Sequence, residues 1–503
     1  MTAHPDSRRD LPPEVVERAL DRAAGGPAIP GNAVSLLFDG PQIFPEMLAR
    51  MAAAKRWIHF DNYIIRADAT GQQFAEALMA QAARGVRVRL LTDWVGSLTF
   101  PFRPGYWRAL QQAGVSVRFF NPPHLLDLPR NLIRNHRKLL VVDGERAVVG
   151  GFCIGNEWAG DPSTGTRPWR DSAVAVDGPA ASGVDRAFAA AWRAIGPPLP
   201  EDELRSEVSS RGDAGVRVLA GEPGNVRASR TTELMLAGAA ERVWITDAYL
   251  VAPRGIYQSL LDAAKEGVDV RLLVPGTSDL THIRNLTRLG YRDLLAAGVR
   301  IFEWRGSMLH AKSIVADGRW TRVGSSNLNI SSLLANWEID LLVDDVDLAV
   351  AMESQFRRDL DHSVEVLQTM VPARLGRRKA KLTFTPGDPL PRLGRTFRER
   401  RRAIGGRRSS GRAWRSIRTT SASSARTSSA AATGRPARCR STHAPTARTE
   451  RASRRSRPAT RRPPSGPSST RSASTALRSS SVARSGAWSP WRWRSPGPRR
   501  STT

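Results

Sequence analysis

The chain has 503 residues, 41% of them apolar and 24% charged, enough for two to four ordinary domains with a substantial core. Its net charge of +29 is unevenly spread: residues 401–503 hold 25 Arg, no Lys and a single acid, Glu450, whereas the first 400 carry 51 bases against 46 acids. A strongly basic folded domain is thereby excluded. So are a disulfide framework, since there are only two Cys, and a spanning helix, since no window reaches about 18 consecutive apolar residues.

In chain order, residues 1–29 form an N-terminal segment whose start, MTAHPDSRRDLPPEVVERAL, lacks the apolar run of a secretion signal. Residues 56–97 then read as strand, helix, strand: an alternating run, helical spacing at Phe74, Leu78 and Ala82, and a β-like run Val86–Leu91. The plan recurs over 241–275, where Gly267-Val-Asp-Val-Arg-Leu-Leu answers Gly85-Val-Arg-Val-Arg-Leu-Leu, and again where GYRDLLAAGVRIFEW (290–304) answers GYWRALQQAGVSVRFF (105–120). Each of those last stretches is a helix ended by a glycine, Gly114 or Gly298, before another strand. The register drifts between repeats, so an old duplication accounts for the pattern better than a solenoid. The expected fold class is α/β, with two duplicated lobes at 30–198 and 205–370, each a mixed β-sheet flanked by helices. Residues 199–204, beside Ile195-Gly-Pro-Pro-Leu-Pro, read as the linker.

Each half contains one copy of an octapeptide, HRKLLVVD at 136–143 and HAKSIVAD at 310–317, followed at once by Gly. Alternation along a strand puts His136 with Lys138, and His310 with Lys312, on one side. Asp143 and Asp317 sit at an odd separation from the Lys and open an Asp-Gly turn dipeptide, so they read as turn or support residues rather than direct participants. An imidazole working as nucleophile or base then needs another carboxylate to set its tautomer. The candidates are Asp171 and Glu338, each in a strand-like run downstream of its own lobe's His. Ser325 and Asn327, in Gly324-Ser325-Ser326-Asn327, offer a hydroxyl and an amide to phosphate oxygens, whereas the first half has Cys153, a poor donor, at the corresponding place. If the lobes face one another, the active site lies at their interface, and two His with two Lys can hold and transfer a phosphoryl group without a metal. Lys is scarce, six against 70 Arg, which makes one in each motif more telling.

These residues resemble the phospholipase D superfamily: HRKLLVVDGERAVVGG and HAKSIVADGRWTRVGSSN look like its paired signature. DNYIIRADATG, LTDWVGS, GGFCIGNEW, PWRDSAVAVDGP and ANWEIDLLVDD are similar to the bacterial cardiolipin synthase branch. The likeness covers roughly residues 30–370. It implies two phospholipase D-like lobes and phosphatidyl transfer between two phosphatidylglycerol molecules, giving cardiolipin and glycerol through a covalent phosphohistidine. The alternative is a phosphodiesterase or nuclease using the same site. By position, His136, Lys138 and Asp143 with His310, Lys312 and Asp317 match the catalytic motifs, His136 as nucleophile and His310 as general acid and base. Asp171 and Glu338 match the orienting carboxylates, and Lys138, Lys312 and Asn327 match phosphate-binding positions. Cys153 departs from the Asn many members have, and the spanning helices many cardiolipin synthases carry before this region are missing. The second departure favours a peripheral enzyme on the cytoplasmic face of a bacterial inner membrane, meeting anionic phospholipid from the side, or a cytoplasmic one.

No metal cage or Gly-rich nucleotide loop is evident, so neither metal nor cofactor is expected. His59, His124 and His282 read as packing or surface residues, and Tyr63 and Tyr249 as core or pocket wall. Residues 371–503 form a basic, low-complexity tail expected to be disordered, because its Ser, Thr, Ala, Pro and Arg cannot bury enough apolar surface. Such a tail suits anionic lipid, at about 1 kcal/mol per basic residue near the surface. It suits nucleic acid as well. Arg without Lys is also what a GC-rich gene read out of frame tends to produce, and that reading is slightly favoured here.

Overall fold

The computed structural model describes residues 12–98, 103–123, 130–205 and 207–370. The tail from 371, with Cys439, and His124 lie outside them, as do residues 1–11 of the N-terminal segment. In the first lobe the strands are β1 (Ile29–Phe38), β2 (Trp57–Asn62), β3 (Arg87–Asp93), β4 (Ser116–Phe120), β5 (Lys138–Val142), β6 (Arg146–Gly150) and β7 (Ser172–Asp177). The second has β8 (Ala214–Gly221), β9 (Arg242–Thr246), β10 (Asp269–Pro275), β11 (Arg300–Trp304), β12 (Ser313–Ala316), β13 (Trp320–Gly324), β14 (Glu338–Asp344) and β15 (Ser363–Glu365).

Strand order makes the duplication explicit. Outward from the centre, the first lobe runs β1-β7-β6-β5-β2-β3-β4 and the second β8-β14-β13-β12-β9-β10-β11, with β1 and β8 paired antiparallel between them. β15 adds one strand at the outer edge of the second lobe. Each lobe has parallel pairs among its outer strands, β2 with β3 and β3 with β4, then antiparallel pairs inward. Such a mixed sheet suits strand-helix-strand crossovers followed by hairpins. Phe74 and Leu78, in the helix Ala69–Ala83 between β2 and β3, are buried as their helical spacing requires.

The core has three parts. One apolar cluster lies within each lobe, and a third joins them, drawing Val176 and Val184 from the first lobe and Leu341, Val343, Met352 and Phe356 from the second. This shared core holds the lobes at one fixed juxtaposition. The N-terminal segment does not stand apart: the helix Pro13–Ala24 buries Val16 and Leu20 in the second lobe's core, and Glu17 and Asp21 pair with the buried Arg217. The linker also packs, through Leu199 and Glu203. Glu203 is fully buried and receives Arg89 Nη2 at 2.6 Å and His59 Nε2 at 3.4 Å. Adjacent prolines forbid regular structure there without preventing docking.

Candidate active site

Because the outer strands are parallel, the C-terminal ends of β2, β3, β9 and β10 share one edge of the structure with the starts of β5 and β12. The two octapeptides enter at that edge. His136 and His310 precede their strands rather than lying in them, and each is anchored to the other lobe. His136 N–H donates to the Trp337 carbonyl at 2.9 Å, and His310 N–H to the Arg170 carbonyl at 2.8 Å. Trp337 and Arg170 each stand one residue before a candidate carboxylate. The parallel bridges Asn135–Trp337 and Arg170–Leu309 repeat the arrangement on both sides.

The carboxylates therefore cross over. Glu338 accepts from His136 Nδ1, with both oxygens at 3.0 Å, and Asp171 accepts from His310 Nδ1 at 2.8 Å. This corrects the expectation that each serves the His upstream of it in the same lobe. Within a lobe, β6 or β13 lies between the His and that lobe's own carboxylate, two strand spacings or about 9.5 Å. Across the interface the backbone bridges bring the other carboxylate into contact. Gly151 makes room for this: a Cβ there would stand 2.4 Å from Asp171 Oδ1 and 3.2 Å from the His310 carbonyl.

Lys138 donates to the His136 carbonyl at 2.6 Å, and Lys312 to the His310 carbonyl. Both lysines are buried, and burial brings Lys138 down to about 8 and lowers Lys312 as well. Lys312 also acts on His136 and Lys138 on His310, so both motifs share one electrostatic centre. Burial and then Lys312 push His310 to about 4 against the pull of Asp171. His136 is likewise lowered, chiefly by burial, although Glu338 opposes the fall. Burial works against the charges of Asp171 and Glu338, but the His and Lys beside them keep both below their ordinary values. The result is two neutral imidazoles, each donating Nδ1–H to a carboxylate and leaving the Nε2 lone pair available beside two ammonium groups. One such imidazole can attack an anionic phosphorus centre through Nε2, and the other, once it carries a proton at Nε2, can protonate the leaving oxygen.

Other sequence expectations fare unevenly. Asp143 and Asp317, grouped with the catalytic motifs, lie at the far end of the strands, about 16 Å along β5 from Lys138. Asp143 accepts the backbone N–H groups of Lys55, Arg56 and Trp57 at 2.7–2.9 Å, and Asp317 those of Ala240, Glu241 and Arg242 at 2.8–2.9 Å. With φ of 54° and 49°, each also begins its hairpin turn in the left-handed region, followed by a positive-φ glycine. They pin the starts of β2 and β9, the support role their turn position suggests. Ser325 is not a free phosphate donor, because its hydroxyl donates to Glu338 Oε2 at 2.6 Å and accepts from Ile339 N–H. It braces the carboxylate instead. Asn327 is buried, and its Oδ1 has no hydrogen-bond partner among the described residues. Cys153 is buried close enough to Lys138, Lys312 and Asp171 to feel each, and burial pushes its thiol up, so it remains neutral.

Tyr63 and Tyr249 line the site, their rings 4.9 Å and 6.1 Å from the imidazoles of His136 and His310. Trp158 and Trp169, at 5.5 and 5.7 Å from His310, were missed, although both lie in stretches quoted for the family likeness. Arg137 was missed too. Fully buried, it donates to the carbonyls of Glu338, Ala187 and Gly221, tying the first motif to the second lobe.

Comparison with known proteins agrees with this architecture. The family model described as "Cardiolipin synthase, PLD-like domain" matches residues 47–159 and 234–360, one His-x-Lys motif in each segment. Cardiolipin synthase A of Pseudomonas aeruginosa is 34% identical over 353 residues, 69% of this chain and 71% of that one. The chain belongs to the phospholipase D-like family. Its place is in the cardiolipin synthase-like, phosphatidyltransferase branch, and the cardiolipin synthase of Halalkalibacterium halodurans is 32% identical over 361 residues, 70% of this chain and 71% of that one. Among solved structures, the phosphatidylserine synthase of Haemophilus influenzae superposes with a TM-score of 0.58 at 15% identity, covering 71% of this chain and 93% of that one. That likeness concerns the fold. Within the phospholipase D-like frame, no described helix is long and apolar enough to cross a membrane.

Proposed function

We propose that this protein joins two phosphatidylglycerol molecules into cardiolipin, releasing glycerol, through a phosphohistidine. The observation that carries the reading is the pair of crossed His–carboxylate contacts flanked by two buried lysines, in a chain of the cardiolipin synthase branch. The lysines and Asn327 hold the phosphodiester anion. His136 Nε2 attacks phosphorus, the bond to the glycerol headgroup breaks, and His310 passes a proton to the departing oxygen. A hydroxyl of the second phosphatidylglycerol then gives its proton to His310 and attacks the same phosphorus, freeing His136. The substrate's negative charge favours one added proton between the two imidazoles on binding; carried on His310 Nε2 it supplies the acid of the first step, while His136 keeps its Nε2 lone pair. Because the lipid lies in a bilayer, the enzyme works as a peripheral protein on an anionic phospholipid surface.

The test is incubation of purified protein with phosphatidylglycerol vesicles, followed by a denaturing detergent quench at neutral to mildly alkaline pH, where a phosphohistidine persists. Cardiolipin and free glycerol appear in equal amounts, and labelled lipid is trapped on the parent and on His310→Ala but not on His136→Ala. Phosphatidic acid as the main product would make the protein a hydrolase with the same site. Absence of every lipid product would overturn the proposal.

A further inference from the structure

The helix Thr281–Leu289, THIRNLTRL, follows β10 at the active-site edge and has no buried residue. Its outer face carries Leu286 and Leu289, 48% and 62% exposed, with Leu280 just before it at 49%. Helix packing explains none of these, because an apolar stripe ordinarily faces a core. Other large apolar side chains are exposed on segments leaving the same edge: Leu132, four residues ahead of His136, and Ile330 and Leu334, in the turn after Asn327. The helix is tied to the catalytic centre as well. Tyr249, whose ring packs beside His310, donates its hydroxyl to Asp279 at 2.8 Å, one residue before Leu280.

Charge selects among partners. The helix contains His282, Arg284 and Arg288 and no acid; Arg288 is paired with Glu303 of β11, whereas Arg284 has no carboxylate partner among the described residues. Leucines interleaved with basic groups around the entrance to a lipid-handling site match an anionic bilayer surface. We propose that Leu280, Leu286 and Leu289 of this helix, with Leu132, Ile330 and Leu334, seat the active-site edge on a bilayer containing anionic lipid. This rests on the lipid-substrate reading above and adds the surface that delivers the substrate.

The experiment uses the full chain with vesicles of phosphatidylglycerol and phosphatidylcholine, in about 0.5 M salt, where a Debye length under about 5 Å screens the arginines of residues 401–503. The double variant Leu286→Gln/Leu289→Gln changes no buried position. Its vesicle binding and bilayer turnover fall by about tenfold or more, while turnover of soluble short-chain phosphatidylglycerol stays within about twofold. Val350→Gln, an exposed apolar site on the helix after β14 at the opposite edge, changes neither. Parent-like vesicle binding by the double variant, or failure of the parent to bind, overturns the docking surface. A loss of soluble turnover equal to the loss on vesicles overturns it too, by moving the helix's role into the catalytic centre. If binding falls but the parent makes no product from either substrate, the surface stands and the enzymatic reading fails.

Discussion

Replacing Glu338 by Gln removes one charge and one strong acceptor from His136 at nearly constant volume. Both carboxylate oxygens lie 3.0 Å from Nδ1, and Glu338 is 1% exposed, so water does not compensate. An opposite charge at such range raises an imidazole by about 1–3 units, or about 1.4–4 kcal/mol in favour of the protonated form. Without it, His136, already lowered by burial, drops further, and its Nδ1–H loses the acceptor that fixes the tautomer. Turnover of phosphatidylglycerol should fall by about 100- to 10,000-fold, the range seen when a catalytic imidazole loses its orienting carboxylate. Nitrogen-15 NMR titration of the imidazoles in the parent, Glu338→Gln and Asp171→Asn separates the two contacts. Glu338→Gln is expected to lower His136 much more than His310, and Asp171→Asn to do the reverse. If Asp171→Asn moved His136 while Glu338→Gln left it in place, the crossed arrangement would be refuted and same-lobe pairing restored.

Further outcomes follow from the same geometry. Asp143→Asn keeps a side chain that tolerates φ of 54° but weakens three hydrogen bonds to backbone N–H groups; a loss of about 2–3 kcal/mol in urea unfolding is expected, with trapping of labelled lipid per folded molecule unchanged, and a selective loss of trapping would return Asp143 to the chemistry. For kcat/KM, which reports the free enzyme, an alkaline limb near 8 is expected as Lys138 loses its proton; a profile flat to about pH 10 would show that this ammonium is not needed for phosphate. Burial works against the charge of His59, but Asp185 and Glu203 outweigh it and hold His59 above 6.5. A raised basic group contributes stability that is complete below the unfolded value and lost as pH rises through the folded one. His59→Gln should therefore cost most stability below pH 6.5 and progressively less above it, as read by urea unfolding; a cost that grows with pH would contradict the assignment.

How much of this was legible beforehand depended on the range of the interaction. The octapeptides, the duplicated strand-helix-strand plan and the Asp-Gly hairpins are local: side-chain alternation, helical spacing and the left-handed turn dictate them over a few residues. From sequence alone the protein was thus determined to have two lobes, two His-Lys pairs and a pair of downstream carboxylates. Which carboxylate serves which His was decided only in three dimensions. It depends on β1 pairing with β8, on a core shared by both lobes, and on backbone bridges linking Asn135 to Trp337 and Arg170 to Leu309 across the interface. The same holds for Ser325, whose hydroxyl is drawn to Glu338, and for Arg137, which crosses to the carbonyls of β8 and β14. A side chain's type and its place on a strand are written in the residues around it. Its partner is set by whichever distant strand packs alongside, and that choice belongs to the whole buried surface rather than to any one segment.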